Sequence, residues 1–67
     1  MTNTTLLKAI MILHNDSTSS FAKHIGINRQ NASKKINGKS DFKQSEIVKI
    51  TNLYNLTDSE IRNIFLS

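Results

Sequence analysis

A row of hydrogen-bond donors between Arg29 and Asn37 is the feature of the sequence best suited to chemistry. At helical spacing, Arg29, Ser33 and Asn37 share one row, and Gln30 and Lys34 form a second row beside it. Neither row contains a carboxylate or an apolar residue. Arginine pairs with guanine O6 and N7, glutamine pairs with adenine N6 and N7, and serine and lysine reach base edges or phosphates. The segment therefore predicts a helix that reads the major groove of DNA.

Polar residues on either side of this segment are suited to holding the DNA backbone. A helix that starts near Ser17, Thr18 and Ser19 would offer amides and hydroxyls to one phosphate, and Lys39 and Ser40 would hold another. Because recognition helices read bases with their N-terminal residues, Arg29 and Gln30 are the leading candidates for base contacts. The predicted base contacts are Arg29, Gln30, Ser33 and Lys34. The predicted backbone contacts are Ser17, Thr18, Asn28, Asn37, Lys39 and Ser40.

The charge of the chain is concentrated around the same segment. The formal net charge is +4, yet residues 17–43 contain six basic residues and only one acidic residue. The rest of the chain carries more acid than base. One basic face that meets phosphate would produce this distribution. A solvated, lysine-rich surface would produce it equally well, so charge alone leaves both interpretations open.

The apolar residues indicate which elements must position these side chains. They recur at helical rather than alternating spacing, which predicts five helices and no strand. Gly26 and Gly38 are expected to end the second and third helices, because glycine adopts left-handed backbone readily. Thr57 and Glu60 form the pattern of a capping box at the start of the fifth helix. The predicted ranges are about 5–14, 17 or 18 to 25, 29–37, 44–54 and 58 onward.

The second and third helices are expected to meet through a tight turn. Ala22 is small enough for the two helices to cross closely, Gly26 supplies the turn, and Ile27 fills the core beside it. Ala32 and Ile36, four residues apart, face inward on the third helix. Residues 1–67 are thus predicted to form one compact all-α domain that contains a helix-turn-helix.

The first helix is apolar on nearly every side. Its predicted core stripe consists of Leu6, Ala9, Ile10 and Leu13. Leu7, Met11 and Ile12 then fall on other faces, which favours a surface for self-association or for another protein. The alternative is that Leu7 and Met11 pack under the C-terminal tail. The candidate partner surface comprises Leu7, Met11, Ile12, Phe65 and Leu66.

Residues for catalysis are missing from the pattern. The chain has no Cys, and it has no glycine-rich loop for phosphate and no metal-ligand spacing. His14 and Asp16 are expected on different sides of a helix, and His24 with Ser20 lacks a third group that would orient the histidine. We expect no enzyme activity, no cofactor and no bound metal.

The sequence also favours a protein of the cytoplasm. No apolar run approaches the roughly 18 residues of a membrane span, and the Met1 end lacks the pattern of a secretion signal. We therefore expect no membrane partner and a location in the cytoplasm.

The sequence resembles the bacteriophage Cro/cI-type helix-turn-helix family over nearly its whole length. The resemblance rests on Phe21-Ala22-x-x-Ile25-Gly26-Ile27-x-Arg29-Gln30, Ser33-x-Lys35-Ile36-Asn37-Gly38-Lys39, Ser45-Glu46-Ile47 and Leu56-Thr57-x-x-Glu60-Ile61. It implies a five-helix repressor-like domain that dimerises on a pseudo-palindromic operator and represses a phage or prophage promoter in a bacterial host cell. By position, the resemblance gives base-facing roles to Arg29, Gln30, Ser33 and Lys34, and backbone roles to Thr18, Asn37 and Ser40.

Two positions depart from the family pattern. Ala32 stands where such proteins usually have a larger aliphatic residue, and Lys43 replaces the Ser or Thr that would cap the fourth helix.

An alternative function also stays open. Phages use small helix-turn-helix proteins as antirepressors or as inhibitors of host defence systems, which act through protein contact on the same scaffold.

Overall fold

The computed structural model describes residues 1–66 and contains five α-helices and no strand within them. The molecule measures 27 × 22 × 21 Å, and no helix in the described part is long and apolar enough to cross a membrane. The all-α prediction is confirmed. The first helix begins and ends one residue earlier than predicted, and the third ends at Ile36. The helices are α1 (Thr4–Leu13), α2 (Thr18–Ile25), α3 (Arg29–Ile36), α4 (Gln44–Tyr54) and α5 (Asp58–Phe65).

Side-chain caps explain where most of the helices begin. At α3, the Asn28 side chain accepts a hydrogen bond from the Asn31 amide at 2.8 Å. At α5, the predicted capping box is present, since Thr57 and Glu60 exchange hydrogen bonds of 2.8 and 3.2 Å. Asn3 and Ser17 cap α1 and α2 in the same way.

The start of α4 has no side-chain cap from the preceding residue, which is Lys43 and not the Ser or Thr of the family pattern. The lysine side chain provides no cap, but the Glu46 carboxylate accepts the Lys43 amide at 2.7 Å. A carboxylate in the first turn also interacts favourably with the positive end of the helix dipole. Glu46 therefore holds the first turn of α4 without a Ser or Thr cap.

The core is centred on Phe21 of α2, which is fully buried. Its ring lies 6.1 Å from the ring of Phe42, edge to face, and 6.3 Å from the ring of Tyr54. Phe65 of α5 lies against Phe42 at 5.7 Å. The aromatic cluster thus joins α2, α4 and α5 with the segment that precedes α4.

The predicted core stripe of α1 was wrong for two of its members. Leu13 is 79% exposed and Ala9 is also exposed, whereas Leu7 is fully buried and Met11 is 5% exposed. Leu7 and Met11 are four residues apart and define the face that α1 turns toward α3 and α5. Leu6 and Ile10 flank that face and are partly buried, as predicted.

The candidate partner surface is corrected by the same observation. Leu7, Met11 and Phe65 are buried in the core, so they cannot offer a surface to a partner. Their burial agrees with the alternative that α1 packs against the C-terminal part of the chain. The Asn3 amide also donates to the Ile64 carbonyl at 2.6 Å, which ties the start of α1 to α5. Ile12 and Leu66 are 74% and 71% exposed.

Both glycines adopt the left-handed conformation that the sequence predicted for helix ends. Gly26 has a φ of 75° and ends α2. The amide of the next residue, Ile27, donates a hydrogen bond to the Ala22 carbonyl at 3.0 Å. Gly38 has a φ of 78°, and a Cβ there would lie 3.2 Å from the Thr4 side chain. The end of α3 thus passes close to the start of α1.

Candidate nucleic-acid interface

An open pocket of about 340 Å³ lies where the start of α2 meets the outer face of α3. It brings together all four side chains that the sequence predicted for base contacts, and it contains no acidic residue. Arg29, Gln30 and Lys34 are exposed, and Ser33 is half-buried. Four neutral or basic hydrogen-bonding groups therefore point into one concave surface. The lining residues are Thr18, Arg29, Gln30, Ser33 and Lys34.

The inner faces of α2 and α3 explain why these side chains point outward. Ala22 and Ile25 of α2 and Ala32 and Ile36 of α3 are buried in the same core, so the opposite face of α3 must meet solvent. The tight turn at Gly26 brings the start of α3 back against α2. The geometry is consistent with a helix-turn-helix.

A second open groove of about 290 Å³ lies between α1, the start of α2 and the end of α3. It brings Ser17, Thr18 and Asn37 together, three of the predicted backbone contacts. It also contains Ile12, the largely buried carboxylate of Asp16, and Lys8 of α1, a basic residue that sequence reasoning missed. Lys8 is the only basic residue in α1. The sequence did not indicate which way its side chain points, because α1 is apolar on nearly every side.

The other predicted backbone contacts are placed differently. Lys39 and Ser40 are exposed beyond the end of α3 and line neither of the two grooves. Asn28 uses its side-chain oxygen to cap α3, and Asn37 donates its side-chain amide to the Ser33 carbonyl at 2.8 Å. Asn28 and Asn37 therefore already use part of their hydrogen-bonding capacity within the fold.

The carboxylate of Asp16 organises the start of α2. It accepts hydrogen bonds of 2.6 Å from the Ser20 hydroxyl and of 2.6 Å from the Tyr54 hydroxyl, and His24 Nδ1 lies 3.4 Å away. The Asp16 side chain is only 7% exposed. The Ser20 hydroxyl in turn accepts the Ser17 amide at 2.9 Å. Asp16 thus connects α4 to the cap of α2, beside Thr18.

These contacts shift the acidity of the groups involved. Burial by itself raises the pKa of Asp16, but the hydrogen bonds from Ser20 and Tyr54, together with His24, outweigh it and lower the pKa below its usual value. Burial, and then the hydrogen bond to the Asp16 carboxylate, raise the pKa of Tyr54 above its usual value. Asp16 is therefore ionised and Tyr54 is neutral at physiological pH.

The Asp16 cluster includes the two residues that sequence reasoning considered as a nucleophile and base. Asp16 supplies a third group beside His24 and Ser20, which the spacing did not reveal. The Ser20 hydroxyl, however, donates to Asp16 and not to His24, so the imidazole is not placed to accept the proton of the serine. Among residues 1–66, no three His, Asp or Glu side chains are grouped to hold a metal ion.

Comparison with known families places the chain in one of them. Residues 5–67 match the family DUF739, described as a protein of unknown function, and the chain therefore belongs to that family. No curated protein and no solved structure matches the chain.

Proposed function

We propose that this protein is a sequence-specific transcriptional regulator that binds double-stranded DNA, with α3 inserted in the major groove. The observation that carries the proposal is the pocket in which Arg29, Gln30, Ser33 and Lys34 meet Thr18. Each of the four α3 side chains can donate a hydrogen bond to a base edge or a phosphate. No carboxylate lines the pocket to repel the DNA backbone.

The surroundings of the pocket favour contacts to the DNA backbone on both sides. The first turn of α2 has amides without partners inside the helix, and the neighbouring groove adds Lys8. Lys39 lies exposed just after α3. Phosphate contacts of this kind position a protein on the duplex, whereas base contacts specify the sequence. In this proposal, Lys8, Thr18 and Lys39 position the protein, and Arg29 and Gln30 discriminate between bases.

The resemblance to the Cro/cI-type helix-turn-helix family supports a more specific assignment. It favours a Cro-like repressor from a phage or prophage that binds a pseudo-palindromic operator as a homodimer in the cytoplasm of its host. A two-fold dimer presents two copies of α3 to half-sites one helical turn apart, about 34 Å along the duplex.

A second candidate function is favoured by a separate observation. Ile12 and Leu13 are consecutive residues at the end of α1, and both are more than 70% exposed. Apolar side chains placed together on a surface are often covered by another protein. The alternative is therefore a phage protein that acts by protein contact, as an antirepressor or as an inhibitor of host defence.

Binding of a fluorescent duplex of mixed sequence tests whether the pocket meets DNA. We expect wild-type affinity to fall steeply as salt rises, because phosphate contacts release counterions. Lys39→Ala should weaken binding, whereas Arg62→Ala, which removes one positive charge from an exposed position on α5, should change it little. Equal effects of the two substitutions would contradict the assignment of this face to DNA, and the absence of binding would favour the protein-contact alternative.

A further inference from the structure

A buried ion pair connects α3 to α4. Lys35 Nζ donates to Glu46 Oε1 at 2.6 Å and to Oε2 at 2.7 Å, and the two side chains are 12% and 8% exposed. Within residues 1–66, these are the side-chain hydrogen bonds that join the two helices. The pair does not line the pocket of α3. In the proposed complex, the pair would therefore act on α3 and not on DNA directly.

Glu46 serves two elements at once. One of its oxygens also accepts the Lys43 amide at 2.7 Å, which fixes the carboxylate on the first turn of α4. The carboxylate is thus held by the backbone on one side and by Lys35 on the other. Burial raises the pKa of Glu46, but hydrogen bonds from Lys35 and Lys43 outweigh it and lower the pKa, so the group is ionised at physiological pH.

The pair holds the end of α3 that is farthest from the tight turn. At the start of α3, Gly26 and the Asn28 cap fix the backbone. At the end, Lys34 lines the pocket, and Lys35, about 100° further round the helix, turns toward α4. The apolar contacts of Ala32 and Ile36 have little directional preference. Charge-assisted hydrogen bonds are directional, so the ion pair adds a directional contact to α4 at this end, where α3 also packs against α1 and α2.

We propose that Lys35 and Glu46 are positioning residues that set the tilt of α3 on α4 and thereby determine how well the protein discriminates its operator from other DNA. This inference rests on the proposed function. Bidentate contacts to bases require accurate placement of Arg29 and Gln30, whereas contacts to phosphates tolerate a small rotation of the helix. Loss of the pair should therefore affect discrimination more than general affinity.

The test uses a double substitution that keeps the net charge unchanged. K35M/E46M replaces the ion pair with two apolar side chains of similar length, a type of exchange that proteins often tolerate. It also removes the acceptor of the Lys43 amide, which a glutamine at position 46 would retain. We expect its preference for the selected operator over a scrambled duplex to fall by about tenfold or more, as for loss of one bidentate base contact. Affinity for the scrambled duplex, and the dependence of that affinity on salt, should stay as in wild type.

Two further variants separate positioning from stability. K35R should keep the preference within about twofold, because the arginine fork also fits both carboxylate oxygens. K35Q/E46Q keeps a polar pair without charge and serves as the test variant if K35M/E46M does not fold. Its preference for the operator should fall by about three- to tenfold. D58M/R62M, which removes one acid and one base from exposed positions on α5, serves as the matched control and should retain the wild-type preference.

Residual dipolar couplings of the free proteins measure the angle between α3 and α4 directly. The angle should change or broaden in K35M/E46M and match wild type in K35R and in the control. A folded K35M/E46M with the wild-type angle and full operator preference would overturn the positioning role while the proposed function stood. A wild-type protein without any operator preference would overturn both.

Discussion

Arg29 and Gln30 lie in the first turn of α3, where a helix that enters the major groove first meets the bases. Both side chains are exposed and line the pocket beside Thr18. These positions were predictable, because the helical spacing of polar residues and the Asn28 cap fix the outer face of α3. Lys8 was not predictable, since its place beside Asn37 depends on how α1 packs on the rest of the molecule.

Substitution of the first residues of α3 tests their role in reading bases. Arg29→Ala or Gln30→Ala should cost about 1–3 kcal/mol at the preferred site and relax one base position in each half-site. Lys39→Ala should instead weaken all duplexes alike and reduce the salt slope by about one. Titrations of operator and scrambled duplexes at several salt concentrations separate the two patterns. If all three variants bind as wild type does, α3 is not the recognition helix.

Asp16 should stabilise the fold in a manner that depends on pH. Its pKa is lowered in the folded state, so its contribution is present above the unfolded pKa, about 3.9, and is lost as pH falls through the lower folded value. Asp16→Asn should therefore have a lower free energy of unfolding than wild type at pH 7. The difference between the two free energies should become smaller below about pH 4. Urea unfolding across this range measures the gap.

A matched substitution checks that the effect comes from the contacts of Asp16. Asp41→Asn removes the same charge at an exposed position and should leave stability nearly unchanged at pH 7. Tyr54→Phe removes one donor to the carboxylate and should cost about 1.5–3 kcal/mol at pH 7, as expected for a hydrogen bond to a charged group. A constant gap between Asp16→Asn and wild type from pH 7 to pH 3 would contradict this role.

At the scale of the elements, the helix ends were more predictable than the helix faces. Asn28, Gly26 and the Thr57–Glu60 box act through neighbours in the sequence, so local rules locate them well. The core stripe of α1 was wrong because apolar residues cover several of its faces, and only contacts with α3 and α5 decide which face is buried. The Asp16–Tyr54 and Lys35–Glu46 pairs join residues distant in the chain, which spacing within one helix does not reveal.

The orientation of α1 can be tested with one pair of leucines. Leu7 is fully buried and Leu13 is 79% exposed. Leu7→Ala should cost about 2–5 kcal/mol through lost burial and a cavity, whereas Leu13→Ala should change stability by less than about 0.5 kcal/mol. Urea unfolding of both variants provides the comparison. Similar losses at the two positions would show that α1 does not turn the face of Leu7 and Met11 toward the core.

For the whole molecule, charge and apolar exposure point to two different kinds of partner. The excess of basic residues lies within residues 17–43, which include the pocket of α3. Ile12 and Leu13 are exposed on α1, outside that segment. In the proposed function, the first surface meets DNA. Leu13 is available for a second copy of the chain or for another protein, whereas Ile12 also lines the groove that contains Lys8 and Thr18.

If the end of α1 forms the dimer interface, Ile12→Glu should yield monomers. Ile12 is 74% exposed, so the substitution should leave the fold intact while it places a charge in the interface. Analytical ultracentrifugation with circular dichroism measures association and folding together. A wild type that is monomeric at working concentration, or an Ile12→Glu variant that still dimerises, would exclude this interface.

The most direct test of the central claim is selection of binding sites from a randomised duplex pool by the purified protein at near-physiological salt. We predict an enriched two-fold symmetric motif whose half-site centres lie about one helical turn apart, because a dimer would present two copies of α3. Selection with Arg29→Ala should lose information at one position of each half-site. A pool without enrichment, bound only weakly and in a salt-sensitive manner, would contradict sequence-specific recognition by α3.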